Sequence, residues 1–373
     1  MKRILSLLLC LGLMGCIALA EPAPAGETLG FELLRELYRG DGNVMLSPAS
    51  LTMALGMAAG GAAGETLDQL LTALGAQDAS EPFSAAIEGI KSANAVFVAP
   101  GLPMKEAYID RLREDYGAER FDLDADVVEK VNAWVAEHTD GLIDRLLNDA
   151  PDPETGLILL NAIAMDAKWE KPFEAHNTVE DSFHAPQGDV TVEMMYQRAA
   201  FDYAEVDGLQ ILRLPYADGA LEMWIALPGE GAGTGMDGLL DALAARGMAY
   251  LRDRAEERKV DLFLPKMDLT AGSALSDVLR ALGVEAPFSD DADFSGVSDV
   301  PLRIDEVLQK VRVQLDEEGT RAAAATAASV TCTAARPEET PVKMRVDRPF
   351  AFAIADGETG SVCFAGVIEN PAA

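Results

Sequence analysis

The sequence predicts an α+β fold, with helices dominating the first half of the chain and strands the second. Three observations support this prediction. Apolar residues recur at helical spacing through much of residues 29–147, and they form short strand-like runs from residue 157 onward. No regular strand–helix–strand repeat connects the two parts. This order is typical of large, mostly antiparallel sheets rather than of a parallel sheet flanked by helices.

Most of the predicted helices have clear end signals. Ser47 and Pro48 give the strongest start, because serine is a good N-cap and proline suits the first helical position. Gly40 and Gly283 each follow a helical segment, as glycine often does at a helix end. The predicted helices are Leu29–Tyr38, Ser47–Ala59, Glu65–Leu74, Tyr108–Tyr116, Val127–Leu147, Leu239–Arg246 and Ala274–Leu282.

The predicted strands are short apolar runs, several of which end in proline or glycine. Leu157–Trp169 is almost continuously apolar, as expected of a central strand that is buried on both faces. Residues 216–220 between two such runs predict a hairpin turn. The predicted strands are Asn94–Val98, Leu157–Trp169, Leu209–Pro215, Leu221–Pro228, Val260–Leu264, Leu302–Ile304, Val311–Leu315, Pro349–Ile354 and Ser361–Ile368.

The chain is strongly acidic, with 30 Lys and Arg against 62 Asp and Glu and a net charge of −32 over 373 residues. Such a surface repels nucleic acids and anionic lipids, so neither is expected as a partner. Solubility in salty or extracellular fluid is the simpler explanation of this charge, and attraction of a basic macromolecule is the alternative.

Residues 1–20 have the features of a secretory signal, which leaves residues 21–373 as a single domain. Lys2 and Arg3 precede an apolar stretch, and Ala18-Leu19-Ala20 offers a cleavage site. An alternative is a bacterial lipoprotein signal that ends before Cys16, which would then be acylated and anchor the protein to a membrane. Of the remaining cysteines, Cys332 and Cys363 are predicted to be free thiols, since two cysteines make no disulfide framework.

No sequence motif points to an enzyme, a cofactor or a metal. The three histidines, His138, His176 and His184, form no recognisable catalytic or metal-ligating pattern. Residues 233–238 match the spacing of a dinucleotide-binding turn, but they lie inside a longer glycine-rich run after Pro228. A flexible loop is therefore the better interpretation of that segment.

The most unusual segment is residues 316–335, which lie between two predicted strands. Beyond Arg321 it contains mostly alanine, serine and threonine, with no bulky residue. A long segment of this kind inside a compact domain is typically functional or disordered. A plain alanine-rich linker is the alternative.

Within this segment, Glu317-Glu318-Gly319-Thr320-Arg321-Ala-Ala-Ala-Ala-Thr326 resembles the hinge of the serpins, a family of protease inhibitors. The resemblance extends over nearly the whole chain in order and spacing. It includes Asn43-Val-Met-Leu-Ser47-Pro48-Ala-Ser50, Val131-Asn-Ala-Trp134-Val, Thr139-Asp-Gly141-Leu-Ile143, Leu159-Leu-Asn161-Ala-Ile, Trp169, Met194-Met195 with Gln197, Leu214-Pro215-Tyr216, Leu264-Pro265-Lys266, Ala292-Asp-Phe-Ser-Gly296, Asp347-Arg348-Pro349-Phe350 and Phe364-Ala-Gly366.

The resemblance implies three largely antiparallel sheets, about eight helices and an exposed reactive loop at about residues 317–340. It also implies a suicide-substrate inhibitor of serine endopeptidases, in which the cleaved loop inserts into the main sheet and traps the acyl-enzyme. A non-inhibitory binding protein with the same fold is the alternative. Only nineteen positions separate Gly75 from Asn94, so the fourth helix of the family is expected to be short or absent.

The resemblance also assigns roles to individual residues. Glu317 is expected to pair with Lys266 near Trp169, where insertion starts. Ser47, Pro48, Ser50 and Asn161 are expected to lie under the strands that separate. Gln309 stands where the family usually has histidine. The hinge comprises Glu318, Gly319, Thr320, Arg321, Ala322, Ala323, Ala324, Ala325 and Thr326.

The spacing of the family places the reactive bond between Thr333 and Ala334. The segment that follows is longer than usual, so Cys332, Ala334 or Arg336 could precede the cut instead. Small residues favour an elastase-like or subtilisin-like protease, whereas Arg336 would suit a trypsin-like one. The acidic charge and the short fourth helix argue against a polyanion activator, and a monomer is expected.

Overall fold

The computed structural model describes residues 27–79, 90–149, 157–217, 219–229, 235–305, 307–320 and 340–373. These residues contain eight α-helices, in agreement with the expected number. They are α1 (Glu27–Leu37), α2 (Pro48–Ala59), α3 (Gly64–Leu74), α4 (Glu106–Tyr116), α5 (Val127–His138), α6 (Gly235–Arg246), α7 (Ala249–Arg252) and α8 (Ser276–Ala281). None of the described helices is long and apolar enough to span a bilayer.

The same residues contain sixteen strands. They are β1 (Val44–Leu46), β2 (Ile90–Val98), β3 (Glu119–Asp122), β4 (Leu157–Met165), β5 (Ala167–Lys168), β6 (Val179–Ala185), β7 (Gly188–Val206), β8 (Leu209–Pro215), β9 (Leu221–Pro228), β10 (Glu256–Pro265), β11 (Met267–Ala274), β12 (Leu308–Leu315), β13 (Gly319–Thr320), β14 (Val342–Arg345), β15 (Phe350–Asp356) and β16 (Val362–Ile368).

The strands form three sheets, as the resemblance implied. The largest has the order β1-β16-β15-β9-β8-β7-β10-β14, with β6 paired to β7. A second sheet has the order β11-β12-β13-β5, and a third the order β3-β2-β4. Most neighbours are antiparallel, and only the pairs β2–β3 and β10–β14 are parallel among the described strands.

The nine-stranded sheet is buried on both faces around β15 and β16. Its alanine-rich face, with Ala353 and Ala365, packs against the layer of α1, α2 and α3. Its other face, with Phe352 and Phe364, packs against the apolar side of β11 and β12. Burial on both faces explains why these strands have continuous apolar sequences rather than alternating ones.

The N-terminal boundary of α2 matches its prediction in detail. Ser47 caps the helix, and its Oγ accepts a hydrogen bond from the amide of Ser50 at 3.1 Å. Pro48 occupies the first helical position, where its missing N–H has no consequence. The helix is buried along most of its length between β16 of the nine-stranded sheet and β4.

The structure corrects several sequence predictions. The helix predicted for Val127–Leu147 ends at His138, because Asp140 and Gly141 adopt positive φ angles of 51° and 72°. The segment Leu302–Ile304 joins no strand in the described part of the chain. The strand predicted for Leu157–Trp169 is interrupted at the exposed Asp166, which separates β4 from β5.

The fourth correction concerns a strand that was not predicted. In the 19-residue β7, buried and exposed side chains do not alternate regularly, because Met194 and Met195 are both buried at the point where the strand passes from one half of the sheet to the other.

The region of the fourth family helix is partly described: residues 75–79 are not helical, and residues 80–89 lie outside the described residues. Gly235 and Gly238 belong to α6 rather than to a loop.

Candidate functional site

The first part of the predicted hinge forms the short strand β13, which lies between β12 and β5. Thr320 pairs with Leu315 of β12 and with Ala167 of β5, and Gly319 pairs with Lys168. Thr320 is only 4% exposed and faces the interior. The hinge thus begins inside a sheet, with both of its neighbours already in contact.

Glycine is required at position 319 because the neighbouring backbone is so close. A Cβ atom there would lie 2.2 Å from the carbonyl oxygen of Ala167 and 2.7 Å from the Cα of Lys168. Backbone atoms cannot move aside as a flexible side chain can. Any larger residue would therefore force β13 and β5 apart.

Two groups fix Glu317, which lies just before the strand. Its Oε2 lies 3.2 Å from the Nζ of Lys266, and its Oε1 accepts a hydrogen bond from Thr178 Oγ1 at 2.7 Å. Burial works to raise the pKa of Glu317, but the bonds from Thr178, the backbone and Lys266 outweigh it and hold the pKa below 4.5. Likewise, burial works to lower the pKa of Lys266, and Glu317 and Glu193 outweigh it.

Trp169 lies directly beside residues 316–318, which precede β13. Its indole Nε1 donates to the carbonyl of Asp316 at 3.0 Å, and its amide donates to the carbonyl of Glu318 at 2.9 Å. Its ring stacks on that of Tyr216, with 4.5 Å between the ring centroids. The Tyr216 hydroxyl in turn lies 2.7 Å from the Thr320 Oγ1. A chain of contacts therefore runs from Trp169 through Tyr216 to the seated hinge.

Below the hinge, β4 and β12 border an interval in which no strand joins them. Among the described residues, the ladders of β4 connect it to β2 alone, and those of β12 connect it to β11 and β13. A cleft lies in this interval and is lined mostly by apolar side chains. Its lining includes Leu51, Leu55 and Ala58 of α2, Leu159 and Asn161 of β4, and Val307 and Gln309 at β12.

The floor of the interval is held by buried hydrogen bonds around the N-terminus of α2. Ser47 Oγ donates to the carbonyl of Cys363 at 2.6 Å. The Gln309 side chain accepts from the Ser47 amide and donates to the Ser47 carbonyl, both at 2.8 Å. On the opposite side, Asn161 Nδ2 donates to Asn94 Oδ1 at 2.8 Å. Each border of the interval is thus anchored by an amide side chain, Gln309 on one side and Asn161 on the other.

The comparisons with known proteins match this arrangement. The family model for serpins, described as serine protease inhibitors, matches residues 24–371. The chain belongs to the serpin family. Members of this family are protease inhibitors in general, not catalytic enzymes.

Relatives of this serpin occur in distant organisms. An uncharacterized serpin-like protein of Thermococcus kodakarensis is 36% identical, covering 91% of this chain and 84% of its own. Iripin-2 of Ixodes ricinus is 34% identical, covering 94% of both chains. Among solved structures, native tengpin, a thermophilic serpin, has a TM-score of 0.82 at 29% identity, covering 92% of this chain and 93% of its own.

Two further solved structures show the breadth of the fold. Protease nexin-1 crystallised with heparin has a TM-score of 0.82 at 26% identity, covering 93% of this chain and 98% of its own. Thyroxine-binding globulin in complex with thyroxine has a TM-score of 0.79 at 24% identity, covering 92% and 99%. The latter likeness concerns the fold alone.

In this serpin, the loop that follows α5 lies across the outer side of β12. Lys310 Nζ donates to the carbonyl of Arg145 at 2.6 Å, and Arg312 donates to that of Leu142 at 3.1 Å. The same loop buries Ile143 and Leu147 against α5 and β2. It therefore bridges the two sheets that border the interval.

The structure brings together the predicted site residues that it describes, in two groups. Trp169, Lys266, Glu317, Glu318, Gly319 and Thr320 surround the seated hinge, whereas Ser47, Pro48, Ser50 and Asn161 surround the floor of the interval. The predicted residues outside the described part of the chain are Arg321, Ala322, Ala323, Ala324, Ala325, Thr326, Cys332, Thr333, Ala334 and Arg336.

Three residues of the site had no assigned role in the sequence. Tyr216 was part of the family resemblance only as a motif residue, and Gln309 only as a departure from the usual histidine. Thr178 gave no signal, because its contact with Glu317 joins segments far apart in the chain. Only the folded arrangement identifies such partners.

Proposed function

We propose that this serpin is a suicide-substrate inhibitor of serine endopeptidases. The protease serine Oγ attacks the carbonyl carbon of the residue before the reactive bond. The C–N bond breaks, the new amino group takes a proton, and the first half of the loop remains esterified to the protease. Insertion of this half between β4 and β12 then drags the protease along and distorts its active site before water can hydrolyse the ester.

The observation that supports this proposal most is the position of β13 above the apolar cleft. The strand is already in register between β5 and β12, and Thr320 faces inward. Since side chains alternate along a strand, Ala322, Ala324 and Thr326 would follow on the inward face. All are small, so they suit a narrow space lined by Leu51, Leu55 and Leu159.

The energy for this change would come from completing the sheet. Roughly fourteen new ladder hydrogen bonds at about 1 kcal/mol each would supply on the order of 10–15 kcal/mol. That is sufficient to distort a bound enzyme locally. The uncleaved protein would therefore be a kinetically trapped state rather than the most stable one.

We further propose Thr333–Ala334 as the reactive bond and an elastase-like or subtilisin-like protease as the target. The support is the small-residue sequence around the bond. Cleavage after Cys332, Ala334 or Arg336 remains the alternative, the last for a trypsin-like enzyme. The charge of −32 would favour a basic or neutral protease over an acidic one.

The test is to mix the protein with elastase, subtilisin and trypsin and to examine the products on denaturing gels. A complex that survives denaturation and a released peptide that starts at Ala334 are expected. Cleavage without a complex would contradict inhibition and favour the alternative function, a binding protein with the serpin fold.

A pair of variants tests the insertion step itself. Ala324→Arg places a charge on the inward face and should turn the inhibitor into a substrate, because an unpaired buried charge is costly. Ala323→Arg is the matched control, since the same charge would face outward. Equal complex yields from the two variants would contradict insertion in this register.

We also propose that the protein is exported from the cell that makes it, supported by the signal-like residues 1–20. Mass spectrometry of the exported protein should give an N-terminus at Glu21. An acylated N-terminus at Cys16 would instead identify a lipoprotein, and retention of Met1 in the cytoplasm would contradict export.

A further inference from the structure

The corner formed by the end of α6, α7 and the start of β10 contains two arginines that no carboxylate binds in the described part of the chain. Arg246 is the last residue of α6, Arg254 lies between α7 and β10, and both are exposed. Although the sequence has 62 acidic and 30 basic residues, neither side chain forms an ion pair or a hydrogen bond with a described residue. Most other described arginines do, including the neighbouring Arg252 and Arg258. The N–H groups of Arg246 and Arg254 are therefore available to another acceptor.

Both guanidinium groups lie against the same aromatic ring, that of Tyr250 in α7. The Cζ of Arg246 is 5.2 Å and the Cζ of Arg254 is 5.3 Å from the ring centroid. Such contacts hold a guanidinium group in place while its N–H groups stay free to donate. The ring is itself fixed by packing, because Tyr250 is only 3% exposed. The two arginines are thus positioned by an aromatic side chain and not by opposite charge.

The Tyr250 hydroxyl is a third donor at this corner. It has no hydrogen-bond partner among the described residues, and its oxygen reaches the surface. The hydroxyl of so buried a tyrosine ordinarily has a partner. Burial is the main cause of the raised pKa of Tyr250, the charge of Asp207 adds to it, and the charges of Arg254 and Arg246 oppose it. Both guanidinium groups are therefore close to the hydroxyl oxygen as well as to the ring.

We propose that Arg246, Arg254 and Tyr250 form a binding site for phosphate, either free or as the monoester of a small molecule. Two guanidinium groups match the charge of a phosphate dianion, and the three donors can bind different oxygens of this tetrahedral group. A long polyanion is a poorer match, because the net charge of −32 repels it outside this corner. The site does not rest on the proposed function, since its three residues lie outside the hinge and the interval and bind in the free protein.

Isothermal titration calorimetry at low ionic strength tests the site, because salt screening is weakest there. The two probes are inorganic phosphate and phenyl phosphate. One bound phosphate group per chain is expected, with a Kd on the order of 1 mM or lower. Tighter binding of phenyl phosphate would identify a monoester as the ligand, and equal binding of the two probes would identify free phosphate. Absence of binding for both probes at about 10 mM would overturn the proposal.

Replacing either arginine should remove most of the binding. Arg246→Ala and Arg254→Ala should each raise the Kd by about tenfold or more, because each removes a charge-assisted contact. Arg258→Ala is the matched control, since it removes the same charge from an exposed arginine nearby that is bound to Glu256 at 3.3 Å. It should change the Kd by less than about twofold. Equal weakening by Arg254→Ala and Arg258→Ala would overturn the site, because binding would then follow local charge alone.

Two conservative variants test the hydroxyl while keeping the fold. Tyr250→Phe retains the ring that holds both arginines and should raise the Kd by about 3–10-fold. Asp207→Asn removes a negative charge that acts on the same hydroxyl and should lower the Kd by about threefold. Asparagine also tolerates the positive φ of 54° at this position. Unfolding in urea checks that both variants are folded, and an unchanged Kd in both would contradict a phosphate site at Tyr250.

Discussion

The strands β16 and β13 both lie inside sheets, yet they are held by opposite means. All seven residues of β16 are buried, its ladders join it to β1 and β15, and its two faces pack against two different apolar layers. The two residues of β13 have one small side chain between them, and hydroxyl and charged groups stabilise the ends. The difference teaches that apolar burial fixes the first strand, whereas the second depends on a few polar contacts, which should make its position in the sheet reversible.

The largest expected effect concerns β16, the strand that is held by apolar burial. Phe364→Ala in β16 should lower the free energy of unfolding by about 3–5 kcal/mol, because it empties a fully packed site. Urea unfolding followed by circular dichroism measures it. Val179→Ala, at a side chain that is 57% exposed, is the control and should change it by less than about 0.5 kcal/mol. Equal effects would contradict the contrast.

Gly319→Ala tests the reversible side. Its Cβ would lie 2.2 Å from a backbone oxygen, so the seated hinge should be disfavoured by about 1–3 kcal/mol. Exchange of the Trp169 amide should become faster, while urea unfolding of the rest changes little. Gly357→Ala is the control, because its Cβ would come no closer than 3.4 Å to other atoms. Unchanged hydrogen exchange of the Trp169 amide in the Gly319 variant would contradict the close packing of Gly319 against the Ala167 carbonyl.

Gln309→Ala tests the floor of the interval, where β12 contacts the N-terminus of α2. The variant leaves the buried Ser47 backbone without two hydrogen bonds and should cost about 1–3 kcal/mol of stability. Urea unfolding measures this cost. Gln210→Ala, in a more exposed position on β8, should cost far less. A smaller loss at Gln309 than at Gln210 would show that the floor contributes little.

A smaller effect depends on pH. Because the pKa of Glu317 is lowered in the folded protein, its carboxylate contributes stability that is complete at a pH well above the ordinary pKa of a glutamate. That contribution is lost as the pH falls through the folded pKa. For this partly exposed pair we expect under about 1 kcal/mol. The difference in urea stability between Glu317→Gln and the original protein should therefore shrink as the pH falls through the folded pKa, and a difference that stays constant with pH would contradict the ion pair.

The smallest effect concerns Cys363 in β16. Burial raises the pKa of this thiol to about 12, so it should not react with a thiol reagent at pH 8 in the folded protein. A Cys332→Ala background leaves it as the single cysteine of residues 21–373. Peptide mapping should find labelling only after unfolding in urea. Rapid labelling of the folded protein would mean that β16 opens readily.

Much of the fold could be predicted because local signals agreed with the tertiary structure. The cap at Ser47 and the buried runs of β15 and β16 each followed from a short stretch of sequence. The strand β7 could not be predicted, because its buried side chains do not alternate regularly. Met194 and Met195 are both buried, where the strand joins two parts of the sheet. The end of α5 could not be predicted either, since Asp140 has a left-handed backbone conformation that is uncommon for residues other than glycine.

The candidate site was only partly accessible from sequence for a different reason. The small residues of the hinge indicate that it can enter a sheet, but they do not tell how far it has entered. That depends on the fit of Gly319 against the Ala167 carbonyl and on the bond from Tyr216. Both are contacts between segments far apart in the chain, and neither leaves a local pattern.

The ladder between β1 and β16 has a consequence for biosynthesis. Val44 pairs with Val367 and Leu46 with Ala365, so this ladder joins two segments that lie far apart in the chain. The nine-stranded sheet therefore cannot be completed until synthesis has reached residue 367. Until then, β1 and the face of α2 that packs on β16 lack their native cover. A sheet closed by contacts of such long sequence separation is expected to form late in folding.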